Sequence, residues 1–245
     1  MTVPPHHWAD SDDDLFIRHG DVFVPRRGEQ IETVRDLVAP LPGPDILELG
    51  CGEGRLTAAL LLRYPEARVT GIDNSARMLA AAADRLAPFG SRVRLVKAPL
   101  EDGGWRHGTY AAVVSSLAVH HLDDAAKQVL YRDLHGMLLP DGRLVLADLV
   151  RPPTATATAW AAGRWDAEVD RQAAGPHGDP DAAGAFRATR WNTFRFPDPV
   201  DKPSTLLQHL RWLAEAGFDG TDVCWALAGH MVIAATKPHP EGSTR

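Results

Sequence analysis

The sequence predicts an α/β fold in which a parallel sheet carries helices on both faces and ends in an antiparallel hairpin. Strand-like runs alternate with helix-like runs between residues 45 and 149, an order typical of parallel sheets. A glycine cluster at residues 50–54 (Gly-Cys-Gly-Glu-Gly) follows the first strand, where a sharp turn into a helix is expected. Near the C-terminus only Ala228 and Gly229 separate two strand-like runs, and so short a connection joins antiparallel strands.

The individual elements are read from hydrophobic spacing. Strands are expected at residues 45–49, 68–73, 92–97, 111–116, 143–149, 221–227 and 230–236, and helices at 55–64, 75–86, 124–138 and 204–218. In the third of these helices Leu130, Leu134 and Leu138 lie at a spacing of four. The Pro-Asp-Gly run at 140–142 is expected to stop that helix.

Two segments lie outside this alternation and define the expected domain organisation. Residues 1–42 contain a predicted helix at 29–38 and are interpreted as an N-terminal helical cap. Residues 43–236 are interpreted as one domain carrying an insertion at 151–203, followed by a tail at 237–245. An unpatterned stretch of this length inside a compact domain is typically a functional lid or a disordered excursion, and the sequence leaves both open.

Composition narrows the class of protein. The 245 residues carry a net charge of −6, so no basic excess points to a nucleic-acid partner. The two cysteines, Cys51 and Cys224, are far apart and lack metal-ligand spacing, which suits a reducing compartment. The polar N-terminus does not resemble a secretory signal, and no apolar run is long enough to span a bilayer. We therefore expect a cytoplasmic protein without nucleic-acid or membrane partners. We also expect a monomer or homodimer.

The glycine cluster indicates a ligand at the end of the first strand. A strand, a glycine turn and a helix bring bare backbone and a helix N-terminus close to a bound molecule. Asp73 ends the second strand, where an acid accepts hydrogen bonds from ribose hydroxyls. The glycines follow G-x-G-x-G rather than the dinucleotide pattern G-x-G-x-x-G, with Arg55 next. Glu48, just before the turn, suits a cationic group such as an amino-acid ammonium better than a pyrophosphate.

Four motifs in order carry a family resemblance. They are ELGCGEG at 48–54, GIDNSARML at 71–79, VVSSLAVHHLDD at 113–124 and LLPDGRLVLADLV at 138–150. Together they resemble the class I S-adenosylmethionine-dependent methyltransferases, in the small-molecule branch that carries a His-His pair after strand four. The C-terminal helix and hairpin extend the match to about residue 236. The resemblance implies a Rossmann-like, seven-stranded methyltransferase fold with S-adenosyl-L-methionine as cofactor.

The resemblance also implies a set of cofactor-binding residues. These are Glu48, Gly50, Cys51, Gly52, Asp73, Asn74, Met78, Leu100, Glu101 and Ser116. Glu48, Gly50 and Gly52 would surround the methionine moiety, and Asp73 would bind the ribose hydroxyls. Ser116, at the end of strand four, would line the pocket near the sulfonium. Asp73 is not needed as a helix N-cap, because Ser75 supplies one.

The adenine contacts depart from the family pattern. Asn74 would lie against the ring, and Leu100 with Glu101 would border its edge. Pro99 stands where the family often has an acid, and Asn74 where an apolar residue is usual. Ala111 replaces an acid at the start of strand four. These departures question the adenine geometry rather than the identity of the ligand.

The catalytic candidates are the paired histidines. Methyl transfer from a sulfonium requires in-line alignment, and a hydroxyl nucleophile also requires a base. We choose His120 as the residue that faces the methyl group and as the candidate base. His121 is then expected to anchor the loop through Asp123 or Asp124. The alternative, that both histidines are structural, stays open.

The insertion supplies the candidate substrate residues. These are Trp160, Trp165, Arg187, Arg190 and Trp191. Guanidinium groups here would clamp a carboxylate or phosphate, and the indoles would wall an aromatic substrate. The alternative is that the arginines lie on a solvated face and the aromatic residues are the core of the lid.

Other classes of activity are weighed against this one. The residues after strand four show neither a DPPY-like run nor a Pro-Cys pair, so DNA methylation is not expected. The acid set of magnesium-dependent catechol-type enzymes is not recognisable, and the adjacent histidines of PPHHWAD near the N-terminus are a weak signal, so no metal is assigned. The product would be a small molecule methylated on O, N or C. A catalytically inactive S-adenosylmethionine-binding regulator and an NAD(P)-dependent reductase remain as alternatives.

Overall fold

A seven-stranded sheet organises the computed structural model, which describes residues 10–176 and 178–239. The strands are β1 (Asp45–Leu49), β2 (Arg68–Asp73), β3 (Val93–Lys97), β4 (Tyr110–Ser116), β5 (Leu138–Leu149), β6 (Asp219–Leu227) and β7 (His230–Thr236). Their order is β3-β2-β1-β4-β5-β7-β6, and β7 alone runs antiparallel to its neighbours. The predicted fold class, with its C-terminal hairpin, is confirmed.

The central strands are buried on both faces because helices cover both. Ile46, Leu47 and Leu49 of β1 are completely buried, as is β4 from Ala111 to Ser115. Continuous apolar runs of this kind are typical of parallel strands enclosed in an α/β fold. Two core clusters form, one on each face of the sheet. The sheet is therefore a rigid base for the residues at the carboxyl ends of its strands.

Eight α-helices flank the sheet within the described residues. They are α1 (Asp10–Phe23), α2 (Arg27–Leu37), α3 (Arg55–Arg63), α4 (Ala76–Leu86), α5 (Asp124–Met137), α6 (Ala155–Ala173), α7 (Pro180–Ala188) and α8 (Leu206–Glu215). Ser75 caps α4, Asp123 caps α5 and Thr205 caps α8, each by accepting the backbone N–H of the residue three positions further along the chain. None of the described helices combines the length and apolar character that a membrane span requires.

Three sequence expectations need correction. The segment before residue 27 contains a helix, α1, which was not predicted. The insertion was expected to be unpatterned, but its described residues include the helices α6 and α7. The expected strand at 143–149 begins earlier: β5 starts at Leu138, and the Pro-Asp-Gly run lies within it. The left-handed Asp141 (φ 61°) donates its N–H to the carbonyl of Lys237 there, so the run forms an irregularity in the strand instead of a loop before it.

Helix α1 and the insertion pack on each other and form a cover over one edge of the sheet. Their shared apolar cluster includes Phe23 of α1, Trp165 of α6 and Phe186 of α7. The indole of Trp165 donates to the backbone carbonyl of Phe23 at 2.7 Å. Phe23 also contacts the ring of Trp191, with centroids 5.0 Å apart. We call α1 together with residues 151–203 the cover, because both border the same cavity.

Candidate active site

A cavity of about 440 Å³ lies at the carboxyl ends of β1, β2 and β4, beneath the cover. Ligands of open α/β sheets bind at this edge. All ten residues expected to bind the cofactor line this cavity: Glu48, Gly50, Cys51, Gly52, Asp73, Asn74, Met78, Leu100, Glu101 and Ser116. The sequence motifs therefore converge on one space, although they come from four separate parts of the chain.

The three glycines of the turn differ in what they face. All three have left-handed backbone, with φ of 63° at Gly50, 51° at Gly52 and 78° at Gly54. A Cβ at Gly50 would lie 2.2 Å from the Cβ of Ala118, and one at Gly54 would lie 2.8 Å from Leu86. A Cβ at Gly52 would meet only the Met78 sulfur, at 4.0 Å. The protein itself thus leaves no room beside Gly50 and Gly54, whereas the space beside Gly52 is open.

Asp73 links the glycine turn to the end of β2. Its Oδ2 accepts the N–H of Gly52 at 2.8 Å, and its Oδ1 accepts the N–H of Ser75 at 2.9 Å. Burial raises the pKa of Asp73, while these backbone donors act in the opposite direction. The backbone N–H of Asn74 adds a third donor, and because a carboxylate has about four lone-pair sites, Asp73 can still accept a hydroxyl donor from the cavity. The hydroxyl of Ser75 caps α4, as expected, by accepting from Met78 N at 3.0 Å.

Glu48 is a buried acid at the cavity wall. It is 1% exposed, and the hydroxyl of Thr57 donates to its carboxylate. Burial raises its pKa to about 8, and the nearby acids Glu53 and Asp73 add to that shift. A cationic group entering the cavity would stabilise the charged form of this carboxylate.

The paired histidines belong to a cluster of four side chains. His120 and His121 end a short 3₁₀ turn after β4, and Asp148 is the next-to-last residue of β5. Asp148 accepts from Nδ1 of His120 at 2.5 Å and from its backbone N–H at 3.1 Å. Asp201, from the end of the insertion, lies 3.4 Å from Nε2 of His120 and 3.3 Å from Nδ1 of His121. Both histidines and Asp201 line the cavity.

The surroundings of His120 do not favour the predicted role as general base. Burial lowers its pKa, but the carboxylates of Asp148 and Asp201 outweigh that effect and raise the pKa to about 10. The ring is then protonated at neutral pH and has no lone pair to accept a proton. For His121 the structure shows other contacts than the expected anchor: its Nδ1 lies 3.3 Å from Oδ1 of Asp201 and 3.4 Å from the carbonyl oxygen of Val200. Asp123 caps α5, and Asp124 accepts from Ser204 and Gln208.

Comparison with known proteins gives the family. Residues 46–142 match the family described as "Methyltransferase domain". An uncharacterized methyltransferase of Mycobacterium tuberculosis (strain H37Rv) is 31% identical over 147 residues, which are 55% of this chain and 72% of that protein. This chain belongs to the class I S-adenosylmethionine-dependent methyltransferases. S-adenosyl-L-methionine is accordingly the cofactor of this methyltransferase.

Two further relatives agree with this assignment. An uncharacterized methyltransferase of Bacillus pumilus is 34% identical over 148 residues, 58% of this chain and 63% of that protein. An O-methyltransferase family protein from Burkholderia thailandensis shares the fold, with a TM-score of 0.65 at 15% identity over 95% of this chain and 60% of that one. The methyltransferase thus spans three fifths of the length of that solved structure.

Only part of the predicted substrate set borders the cavity of the methyltransferase. Trp165, Arg190 and Trp191 line it. Trp160 is 64% exposed and lies outside the cavity, and so does Arg187, which is exposed and ion-pairs with Asp170. The prediction that these two side chains contact the substrate is therefore wrong, because each lies on the solvent-exposed face of its helix and not on the face towards the cavity.

Several residues that line the cavity were not predicted from the sequence. Phe16 of α1 and Phe196 of the insertion add aromatic surface, and His230 at the start of β7 lines the cavity with its ring 4.5 Å from that of Trp165. Burial lowers the pKa of His230 to about 3, so its imidazole is neutral. Spacing of apolar and aromatic residues at positions 15, 16, 19, 22 and 23 was the available signal for α1.

Helix α1 also contacts residues next to the glycine turn. Asp13 accepts a hydrogen bond from the hydroxyl of Ser75 at 2.5 Å, beside Asp73. Asp14 pairs with Arg77 of α4, and Asp21 pairs with Arg55 of α3. These contacts lie next to the end of β2 and next to the glycine turn, so α1 covers the glycine-turn half of the cavity.

Proposed function

We propose that this methyltransferase transfers the methyl group of S-adenosyl-L-methionine to a hydroxyl oxygen of a small aromatic molecule. The observation that carries this proposal is the aromatic lining that the cover gives to the cavity. Phe16, Trp165, Trp191 and Phe196 all border it, and they come from α1 and the insertion rather than from the sheet. Flat apolar walls of this kind favour aromatic ligands.

The residues at the glycine turn fit the cofactor. The open space beside Gly52 lets a ligand approach the backbone, and the buried Glu48 would accept the ammonium of the methionine moiety. The carboxylate of Asp73, which borders the cavity, would accept a ribose hydroxyl. When bound, the cofactor supplies a methyl group that is already activated by the sulfonium. The task left to the chain is to hold both ligands in line and to exclude water.

Alignment is the main catalytic contribution we assign to the protein. In this geometry the acceptor hydroxyl would take the methyl group as the carbon–sulfur bond breaks, its proton would be lost to bulk solvent outside the cavity, and S-adenosylhomocysteine would be the second product. Holding the reactants in this geometry supplies roughly 7–11 kcal/mol of the barrier. Trp191 and Phe16, whose rings stack at 6.3 Å, are placed to hold the acceptor from the side of the cover.

Oxygen is preferred over nitrogen and carbon for two reasons. The cavity wall carries the polar cluster around His121 and Asp201, which suits a hydroxyl better than a carbon nucleophile. The structural relatives include the O-methyltransferase family protein from Burkholderia thailandensis, whose name supports the same acceptor.

We further propose the division into a cap at 1–42, a methyltransferase domain at 43–236 with its lid at 151–203, and a tail at 237–245.

The proposal is tested with the full chain in two steps. Calorimetric titration should show binding of S-adenosylhomocysteine and none of NAD⁺ or NADP⁺. A panel of phenols, aromatic amines and carbon acids is then incubated with S-adenosylmethionine, and the methylated products are identified by mass spectrometry. Turnover of phenols supports the proposal. Turnover of amines or carbon acids alone would overturn the choice of oxygen, and binding without turnover of any acceptor would favour the regulatory alternative.

A further inference from the structure

We propose that His120, His121 and Asp201 bind a divalent first-row transition-metal ion of the Zn²⁺ type at the wall of the cavity. No metal was assigned from the sequence, where the two histidines were candidates for catalysis and for anchoring the loop. The insertion brings Asp201 to the two histidines, and one ligand atom from each residue lies within 4.8 Å of the other two. The proposal goes beyond the methyltransferase family assignment and does not depend on the acceptor.

The distances favour a shared ion over direct ion pairs. Oxygen Oδ1 of Asp201 lies 3.4 Å from Nε2 of His120 and 3.3 Å from Nδ1 of His121. Charge-assisted hydrogen bonds between nitrogen and carboxylate oxygen are about 2.7–2.9 Å long. Two ligands bound tetrahedrally to one ion at about 2.0–2.2 Å lie about 3.3–3.6 Å apart. Both contacts of Asp201 are longer than strong hydrogen bonds and match the spacing of two ligands on a common ion. Nδ1 of His121 also lies 3.4 Å from the carbonyl oxygen of Val200, a contact equally long for a hydrogen bond.

Nδ1 of His120 makes the hydrogen bond that is usual for the non-ligating nitrogen of a metal-binding histidine. Its Nδ1 donates to Asp148 at 2.5 Å, which fixes the ring and directs Nε2 towards Asp201. A carboxylate on the far nitrogen is the usual partner of a metal-ligating imidazole. The same ring thus makes one short bond and one long contact. A metal ion on Nε2 would take the place of the proton there.

The donor set indicates the class of ion and its use. Two imidazoles and one carboxylate suit Zn²⁺ and its neighbours better than Mg²⁺ or Ca²⁺, which prefer oxygen ligands. Three protein ligands leave a fourth position, as in catalytic zinc sites, and all three residues border the cavity. If the proposed function holds, the acceptor hydroxyl would occupy that position and lose its proton more readily. Only this last step rests on the proposed function.

The experiment measures metal binding without substrate. Untagged full chain is titrated with Zn²⁺ by calorimetry and with Co²⁺ by visible absorption. We expect one equivalent per chain. The variants His121→Ala and Asp201→Asn should each lower the affinity at least tenfold, and Asp148→Asn should lower it by about 10–100-fold, as for other partners of ligating histidines.

Control variants separate this site from other histidines. His107→Ala removes an exposed imidazole outside the cavity, and a His6→Ala/His7→Ala double variant removes the adjacent pair near the N-terminus. Both should bind metal as the parent does. Absence of stoichiometric binding, or binding that survives in both His121→Ala and Asp201→Asn, would overturn the proposal. Binding lost in the double variant alone would overturn it too.

Titration of S-adenosylhomocysteine distinguishes a failure of this proposal from a failure of the proposed function. Variants that bind S-adenosylhomocysteine like the parent but have lost the metal are folded and support the site. A parent chain that binds metal yet methylates no phenol would leave the metal site supported and the proposed function refuted.

Discussion

The carboxylate of Asp73 accepts a hydrogen bond from the backbone N–H of Gly52 at 2.8 Å, across 21 residues of sequence. Its other oxygen accepts the N–H of Ser75 at 2.9 Å. One side chain therefore fixes the glycine turn after β1 against the start of α4. The same carboxylate borders the cavity. Asp73 and the backbone at Gly52, both proposed to contact the cofactor, therefore hold each other in position.

Replacing Asp73 by alanine should weaken binding of S-adenosylhomocysteine by roughly 1.5–3 kcal/mol, the range for hydrogen bonds to a charged group. The loss combines the ribose contacts with the loosened turn. Calorimetry measures it, and NAD⁺ should still not bind. Asp45→Ala is the matched control, since Asp45 lies at the other end of β1 and pairs with Arg68 on the surface. If Asp73→Ala bound S-adenosylhomocysteine with the affinity of the parent, Asp73 would not contact the cofactor.

Gly52→Val should abolish binding of S-adenosylhomocysteine while the protein stays folded. The side chain would fill the open space beside Gly52, and the left-handed backbone there adds a cost of about 1–2 kcal/mol. Gly50→Ala should instead destabilise the fold, because its Cβ would lie 2.2 Å from that of Ala118. Thermal unfolding and calorimetry separate the two effects. A folded Gly52→Val protein with parental affinity would contradict the cofactor assignment.

The pKa of Glu48 predicts a pH dependence of stability. This pKa is about 8 in the folded protein and 4.5 in its ordinary state, so between these values the folded chain holds a proton that the unfolded chain has lost. The free energy of unfolding contributed by Glu48 is therefore largest below pH 4.5 and falls as the pH rises towards 8. Chemical denaturation across this range measures the slope. Glu48→Gln should flatten it, and an unchanged slope would argue against the shift.

Binding of the cofactor should reverse that protonation. A cationic ammonium beside Glu48 favours the ionised carboxylate, so S-adenosylhomocysteine should release protons when it binds at pH 7. Calorimetry in buffers of different ionisation enthalpy counts these protons. The number should fall above pH 8 and drop in Glu48→Gln. Equal proton release by the parent and the variant would place the ammonium elsewhere.

Asp13→Ala should speed dissociation of S-adenosylhomocysteine by roughly tenfold or more, the effect of losing a hydrogen bond to a charged group. Asp13 is buried and holds α1 to Ser75, at the entrance to the glycine-turn half of the cavity. Stopped-flow displacement measures the rate. Asp14→Ala is the control, because its ion pair with Arg77 is exposed and worth little. Equal rates in Asp13→Ala and the parent would show that α1 does not gate this ligand.

Trp191→Ala should raise the KM for the aromatic acceptor while leaving the affinity for S-adenosylhomocysteine near that of the parent. Its indole lines the cavity between Phe16 and Phe23. Trp160→Ala removes an exposed indole from the same insertion and should change neither quantity. Steady-state kinetics with a phenol found by the panel provide the measurement. Equal KM values in the two variants would remove Trp191 from the acceptor site.

The sequence by itself determined the sheet, its reversed last strand and the lining of the glycine-turn half of the cavity. These features depend on local patterns: apolar runs fix the strands, and the two-residue connection at Ala228 and Gly229 fixes the hairpin. The side chains proposed to hold the cofactor lie within a few residues of strand ends, and parallel strands carry their carboxyl ends to one edge. These side chains are therefore expected at one edge of the sheet as soon as the strands are predicted to be parallel.

Only the tertiary structure decided the cover and the partners of His120. The sequence located the histidine pair, but Asp148 comes from another strand and Asp201 from the insertion, and no local spacing relates them. Likewise, Trp160 and Trp165 are five residues apart on α6, yet one faces solvent and the other packs on Phe23. Amphipathic spacing predicts that a helix has a buried face. What that face packs against, and which charges meet beneath it, depends on long-range packing that the whole chain sets.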